Sequence, residues 1–282
     1  MKVLITGAAG LLGHGLTQIF RQQHTVFPIT RAEADTTDAG AVLSMFNRLR
    51  PEIVIHTAAI PDLDICEAEP DRAFRVNVEG TRNVVQAAGK VGAAMAHISS
   101  DAVFDGKKNM PYVESDPVNP QTVYGRTKVE GENLVSGMPH HWLFRIPVLF
   151  GPGKANFVSK GLDKLRKGEE YIVASDQVAC AGYTLDLACV MLEVIHARKY
   201  GLYHIANAGA CSRLELAQRA ANFAELDSAM IVGKPTDEMN RKAKRLKYSV
   251  MESRALRNAG FSEPRLWHEA LREYIATWKM EN

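Results

Sequence analysis

The sequence predicts an α/β fold, a doubly wound parallel sheet with a small C-terminal substrate-binding lobe. Three observations lead there. Short apolar runs alternate with longer stretches of helical period through the first half, the rhythm of βαβ units. A glycine cluster, Gly7 to Gly13, falls where the first strand gives way to the first helix. The regular alternation then ends at Gly151-Pro152-Gly153. In chain order, strands are expected at Lys2–Thr6, His24–Ile29, Ile53–Thr57, Ala94–Ser99 and Trp142–Arg145. Helices are expected at Gly13–Gln22, Ala39–Leu49, Arg72–Val91 and Val123–Ser136. Beyond residue 150 the pattern is less regular, with one strand at Tyr203–Ile205 and helices at Ser212–Ala224 and Pro264–Met280. Residues 1–150 are read as the dinucleotide-binding domain with the catalytic residues. Residues 151–282 are read mainly as the substrate lobe, with some segments returning to the first domain.

The chain has 282 residues, 46% of them apolar, and 34 Lys+Arg against 32 Asp+Glu give a net charge of +2. It is long and apolar enough for a sizeable core. Its balanced charge supplies no field for nucleic acid or membrane surfaces, so an anionic partner must be met locally. Four cysteines, Cys66, Cys180, Cys189 and Cys211, contain no CxxC pair, so neither a metal site nor a disulfide framework is expected. No apolar run approaches a membrane span and no leader pattern opens the chain, so a cytoplasmic location is expected.

Gly7-Ala8-Ala9-Gly10-Leu11-Leu12-Gly13 has the context that gives a glycine motif meaning, a strand before it and a helix after it. Glycines there permit a tight turn and close backbone approach to a pyrophosphate, which the helix N-terminus attracts. The sheet is thereby read as Rossmann-type. An acidic residue about 20 positions on would suit the bare ribose of NADH, but the second strand ends in Ile29-Thr30-Arg31. A guanidinium suits a 2′-phosphate, so Arg31 favours NADPH while NADH stays open.

Tyr124 and Lys128 lie four residues apart, on one face of a helix that begins after Asn119-Pro120. A phenol with a pKa of about 10 needs a nearby cation to exchange protons near neutrality, and Lys128 can supply one. Ser100, at the end of a strand, can donate a hydrogen bond to a substrate carbonyl. Asp101 beside it could cap a turn or modulate the site. His56, also at a strand end, is read as packing or a polar cap. Five cations in seven residues, Arg241 to Lys247, could clamp a diphosphate, with Arg245 and Lys247 the candidates.

These motifs together resemble the extended short-chain dehydrogenase/reductase family, and within it the dTDP-4-dehydrorhamnose reductase group. The likeness rests on Gly7, Gly10 and Gly13, on the runs at 50–59, 73–83 and 97–106, on Pro111-Tyr112 and Asn119-Pro120, and on Tyr124 with Lys128. It implies NAD(P)H-dependent reduction of a nucleotide-linked 4-keto-6-deoxy sugar. Tyr124 would donate the proton, Lys128 would assist it and bind the nicotinamide ribose, and Ser100 would stand where family members usually carry threonine. Ala58 and Ala59 would border the cofactor, Asp35 and Thr36 would meet its adenine edge, and Asn77 would support the lysine. The chain departs from the family pattern at Ala102, usually Tyr, and at Ala179-Cys180-Ala181-Gly182, usually Gly-Ser-Pro-Thr on the substrate side. Rival readings are a non-catalytic regulatory subunit that keeps the fold and an epimerase or dehydratase. A homodimer is a further expectation left open.

Overall fold

The computed structural model describes residues 1–281. The first half runs β1 (Lys2–Thr6), α1 (Leu11–Phe20), β2 (Thr25–Ile29), α2 (Ala39–Leu49), β3 (Ile53–His56), α3 (Leu63–Ala68), α4 (Pro70–Phe74), α5 (Gly80–Val91), β4 (Ala94–Ser100), α6 (Val123–Ser136) and β5 (His141–Ile146). Then follow β6 (Val148–Phe150), α7 (Phe157–Arg166), β7 (Tyr171–Ala174), β8 (Val178–Ala179), β9 (Ala181–Tyr183), α8 (Thr184–His196) and β10 (Gly201–His204). The chain continues with β11 (Cys211–Ser212), α9 (Arg213–Ala224), β12 (Ile231–Lys234), β13 (Tyr248–Ser249), α10 (Arg254–Asn258) and α11 (Trp267–Glu281).

Six strands form one parallel sheet in the order β10-β5-β4-β3-β1-β2. Its strand residues are apolar on both faces, as a sheet covered on both sides requires. Val3, Ile5, Ile53, Ile55, Ile98 and Phe144 join the cluster built with α1 and α8. Their neighbours Leu4, Val54, Met95 and Leu143 join the opposite cluster with α2, α5 and α6. Chain order reverses between β1 and β3, the switch point where doubly wound sheets place their ligands.

The structure adds short elements that the sequence reading did not expect, among them α3, α10 and the strands β6–β9 and β11–β13, and it differs in three longer ones. The helix expected over Arg72–Val91 contains a π-helical turn at Arg75–Glu79, with the Thr81 hydroxyl donating to the Asn77 carbonyl at 2.6 Å. Such turns add one residue to a helix and re-aim its side chains. Helices α7 and α8 had no expected counterpart. In α8, Leu187, Ala188, Val190, Met191, Leu192, Val194 and Ile195 are all buried, so its apolar positions do not trace a single stripe. The C-terminal lobe packs α7, α9 and α11 around Phe150, Tyr183 and Trp267, beside short strand pairs. Among the described residues, no helix is long and apolar enough to cross a membrane.

Candidate active site

The carboxyl ends of β1, β3 and β4 open into a cleft of about 880 Å³, roofed by the lobe. Gly7, Gly10, Leu11, Leu12 and Gly13 line one end, with Arg31, Asp35, Thr36, Ala58 and Ala59. Gly7 has φ +67°, and a Cβ there would fall 2.7 Å from the Ala58 nitrogen. At Gly13 it would fall 2.3 Å from the Gly7 carbonyl oxygen. The turn is therefore closed to any side chain at these two positions. Helix α1 begins at Gly10 with no side-chain cap and no acidic residue in its first turn, which leaves its N–H groups facing the cleft for an anion. A dinucleotide pyrophosphate fits that cradle.

Arg31 is 79% exposed and pairs with Asp35 at 3.0 Å. Asp35 also accepts from the Thr37 backbone nitrogen and hydroxyl, which hold its carboxyl below the usual range. Asn83 ties this loop down by donating to the Thr36 carbonyl at 2.9 Å.

Tyr124 and Lys128 project from the first turns of α6. Thr122 caps that helix by accepting from the Gly125 nitrogen at 3.0 Å. Gly125 presses against the turn after β4 so closely that a Cβ would lie 2.3 Å from the Ala102 carbonyl oxygen. This approach sets Tyr124 beside Ser100. Burial pushes the Tyr124 phenol well above its ordinary value, and hydrogen bonding with Ser100 offsets part of that. Burial draws the Lys128 ammonium down to about 8, with Glu132 one turn further along opposing the shift.

Ser100 lines the cleft with Tyr124 and Lys128, but its hydroxyl donates to Asp101 at 2.9 Å. Donation to a substrate carbonyl thus requires that proton to turn away from Asp101. The other Asp101 oxygen accepts from the Ser249 hydroxyl at 2.7 Å, and burial raises the carboxyl's pKa. Sequence reading left Asp101 between two roles. It missed Glu132, which accepts from Ser99 and takes both Nε and Nη2 of Arg145, at 2.9 and 2.8 Å. The i, i+4 spacing from Lys128 signalled Glu132, whereas nothing local signalled Arg145.

Asn77 braces the site indirectly. It exchanges hydrogen bonds with the Ile60 backbone at 2.8 and 3.2 Å and donates to the Thr127 hydroxyl at 3.0 Å, next to Lys128 rather than on it. His56 is buried between the Thr6 and Thr81 hydroxyls, and burial pulls its pKa to about 3, so it is a neutral polar strut.

On the lobe side, Arg245 lines the cleft and pairs with Asp64 at 2.7 Å. The expected partner Lys247 does not line it. Its ammonium bridges Asp237 and Asp176, at 2.9 and 3.2 Å, beside a separate surface hollow. The carboxylates Asp176 and Asp237 hold it there, while Ser249, two residues on, turns inward to Asp101. Residues 179–182 are also corrected. Ala179, Cys180 and Ala181 are buried and none of the four lines the cleft, so these departures concern packing between lobe and sheet. Tyr171, Gln177 and Arg213 line the cleft and were not anticipated.

A family model described as RmlD substrate binding domain matches residues 1–280. The chain belongs to this family. Within the RmlD family it is 37% identical over 276 residues to the spore coat polysaccharide biosynthesis protein SpsK of Bacillus subtilis, covering 97% of this chain and 96% of that one. Among solved structures, a dTDP-4-dehydrorhamnose reductase from Clostridium acetobutylicum superposes with a TM-score of 0.95 at 37% identity, over 99% of this chain and 100% of that one. A second, from Bacillus anthracis and in complex with NADP, gives 0.94 at 32% identity, over 98% and 99%.

Proposed function

We propose that the protein is an NADPH-dependent reductase that converts the C4 ketone of a dTDP-linked 4-keto-6-deoxy sugar to an alcohol. The observation that carries this reading is the convergence of the glycine cradle, Tyr124, Lys128 and Ser100 on one cleft. It agrees with the reductase names of the similar structures. The division of labour is part of the proposal, with the first 150 residues serving the cofactor and proton transfer and the rest mainly the sugar nucleotide. So is a cytoplasmic location.

Gly7, Gly10, Gly13 and the start of α1 would hold the pyrophosphate, Arg31 the 2′-phosphate, and Asp35 and Thr36 the adenine edge. When bound, NADPH supplies hydride to the carbonyl carbon. The chain supplies the rest. Tyr124 gives its phenolic proton to the carbonyl oxygen as negative charge develops there. Lys128 lowers the cost of the phenolate left behind, and Ser100 holds the oxygen in place once its hydroxyl turns from Asp101. Raised phenol acidity is not available without the ammonium, because burial alone favours the neutral tyrosine.

The direct test is absorbance of NADPH on addition of dTDP-4-keto-6-deoxy sugars, with NADH in parallel. Ketone-dependent oxidation with a preference for NADPH is expected. Absence of any ketone-dependent oxidation would sink the reading and leave a non-catalytic role.

The pH dependence follows from Lys128. A lysine is charged below its pKa, here about 8, so kcat/KM for NADPH should hold near pH 7 and fall through that point as the ammonium deprotonates. Tyr124 keeps its proton over the same window because its pKa moves upward. Lys128→Arg, which stays charged, should reduce the rate and flatten the alkaline limb; an unchanged limb in that variant would assign it to another group.

A further inference from the structure

Eight lysines and arginines line the cleft against only two carboxylates, Asp35 and Asp101, in a chain whose net charge is +2. Most of these cations have an assignment. Arg31 pairs with Asp35, Arg72 with Glu69, and Arg241 and Arg245 share Asp64. Arg213 differs.

Arg213 is the first residue of α9, held there by its backbone nitrogen donating to the Gln177 carbonyl at 3.0 Å. Its guanidinium lies 5.8 Å from the centre of the Phe157 ring. Among the described residues it makes no ion pair and no side-chain hydrogen bond. A partly buried guanidinium with no anion in ion-pair reach is costly, so the position makes sense when a ligand supplies one. Asp101 acts on it only at longer range, with no ion pair between them, and its two oxygens are turned to Ser100 and Ser249.

Strand pairing fixes where along the cleft Arg213 stands. Cys211 and Ser212, just before it, pair with one side of β8, and Tyr248 and Ser249 pair with the other, where Ser249 donates to Asp101. Arg245 and Arg241 lie four and eight residues before Ser249 and are held at Asp64. Arg213 therefore stands between the proton-transfer end, where a sugar would react, and the Arg241/Arg245 end. Tyr171, Arg213, Arg241 and Arg245 all line this cleft, so the three arginines face the same space. Set against Asp64, they leave two positive charges, the number needed to balance a diphosphate diester.

We propose that Arg213 grips the sugar-side phosphate of the nucleoside diphosphate, leaving the nucleoside-side phosphate to Arg245 and Arg241. This deepens the reading of the same site and rests on it. Arg213 is then the residue that makes the protein distinguish a nucleoside diphosphate from a monophosphate. A guanidinium bonded to a phosphate oxygen in a partly dry site is worth about tenfold to a hundredfold in affinity.

The experiment is calorimetric titration of the NADPH-loaded protein with dTDP and with dTMP. Wild type should bind dTDP at least tenfold more tightly. Arg213→Gln should lose about tenfold or more for dTDP and less than twofold for dTMP, closing the gap, and Arg213→Lys should restore part of it. Retained NADPH affinity shows that the variants are folded. Equal weakening of both nucleotides, or no weakening of either, would overturn the assignment. Wild-type protein that binds neither nucleotide would overturn the sugar-nucleotide reading and this assignment with it. Wild-type protein that binds dTDP through Arg213 but reduces no keto sugar would support this assignment and reject the reductase.

Discussion

Replacing Tyr124 by phenylalanine is expected to lower kcat by about 10²- to 10⁴-fold, the usual worth of a positioned general acid. The phenyl ring keeps the packing against Val123 and Cys66, and only the proton donor is lost. Nothing close by replaces it. The Ser100 proton is drawn to Asp101, and His56 is a neutral imidazole near neutrality, too weak an acid to protonate the product, because burial holds its pKa near 3. Cofactor affinity should stay within about twofold, because the cradle proposed for the pyrophosphate lies on α1 rather than α6. Steady-state rates with tryptophan-quenching titrations of NADPH would separate the two quantities. A variant with near wild-type kcat would remove Tyr124 from the reaction.

The glycine turn should be as intolerant of change as the phenol. Gly13→Ala would put a methyl group 2.3 Å from the Gly7 carbonyl oxygen and 2.8 Å from the Ala8 Cα, both backbone atoms that cannot swing aside. Helix α1 must then pull away from β1, taking its N–H groups from the pyrophosphate position and opening the packing of Leu12 and Leu16. Loss of measurable NADPH binding is expected, with destabilisation of about 1–3 kcal/mol as for other overpacked sites. Gly89→Ala is the control. Gly89 lies in α5 with nothing within 4 Å of an added Cβ, so alanine should stabilise by about 0.5–1 kcal/mol through helix propensity. Chemical denaturation of both variants would reveal the opposite signs.

The first half of the fold was legible because its signals are local. Glycines at a strand-to-helix junction, a Tyr/Lys pair at helical spacing and alternating apolar runs each need only a few neighbouring residues to be read. All residues expected to bind or react, Lys247 excepted, line one cleft, and Asn77 stands behind it. The illegible parts depend on chain segments far apart. Arg145 is invisible until β5 lies beside β4 and turns it toward Glu132. Arg213 reads as an ordinary helix-start arginine until α9 is laid over the cleft. The basic run at 241–247 shows the limit most plainly. Its composition suggested a clamp, but the carboxylates Asp64, Asp176 and Asp237, contributed by other segments, divide it into inward and outward cations.

The place of β10 in the sheet governs how this protein can be made. The strand that flanks β5 is encoded beyond β6–β9 and α8, so β5 emerges from the ribosome with no neighbour on that side. At roughly 5–20 residues per second, several seconds separate the synthesis of Ile146 from that of Gly201. Throughout that interval a buried-type strand presents open hydrogen-bonding groups, and Trp142 and Phe144 lack α8 above them. A nascent chain stalled there, or a gene cut after Phe150, would display a sticky edge rather than half an enzyme. Chaperone demand during translation should therefore peak before the lobe is complete.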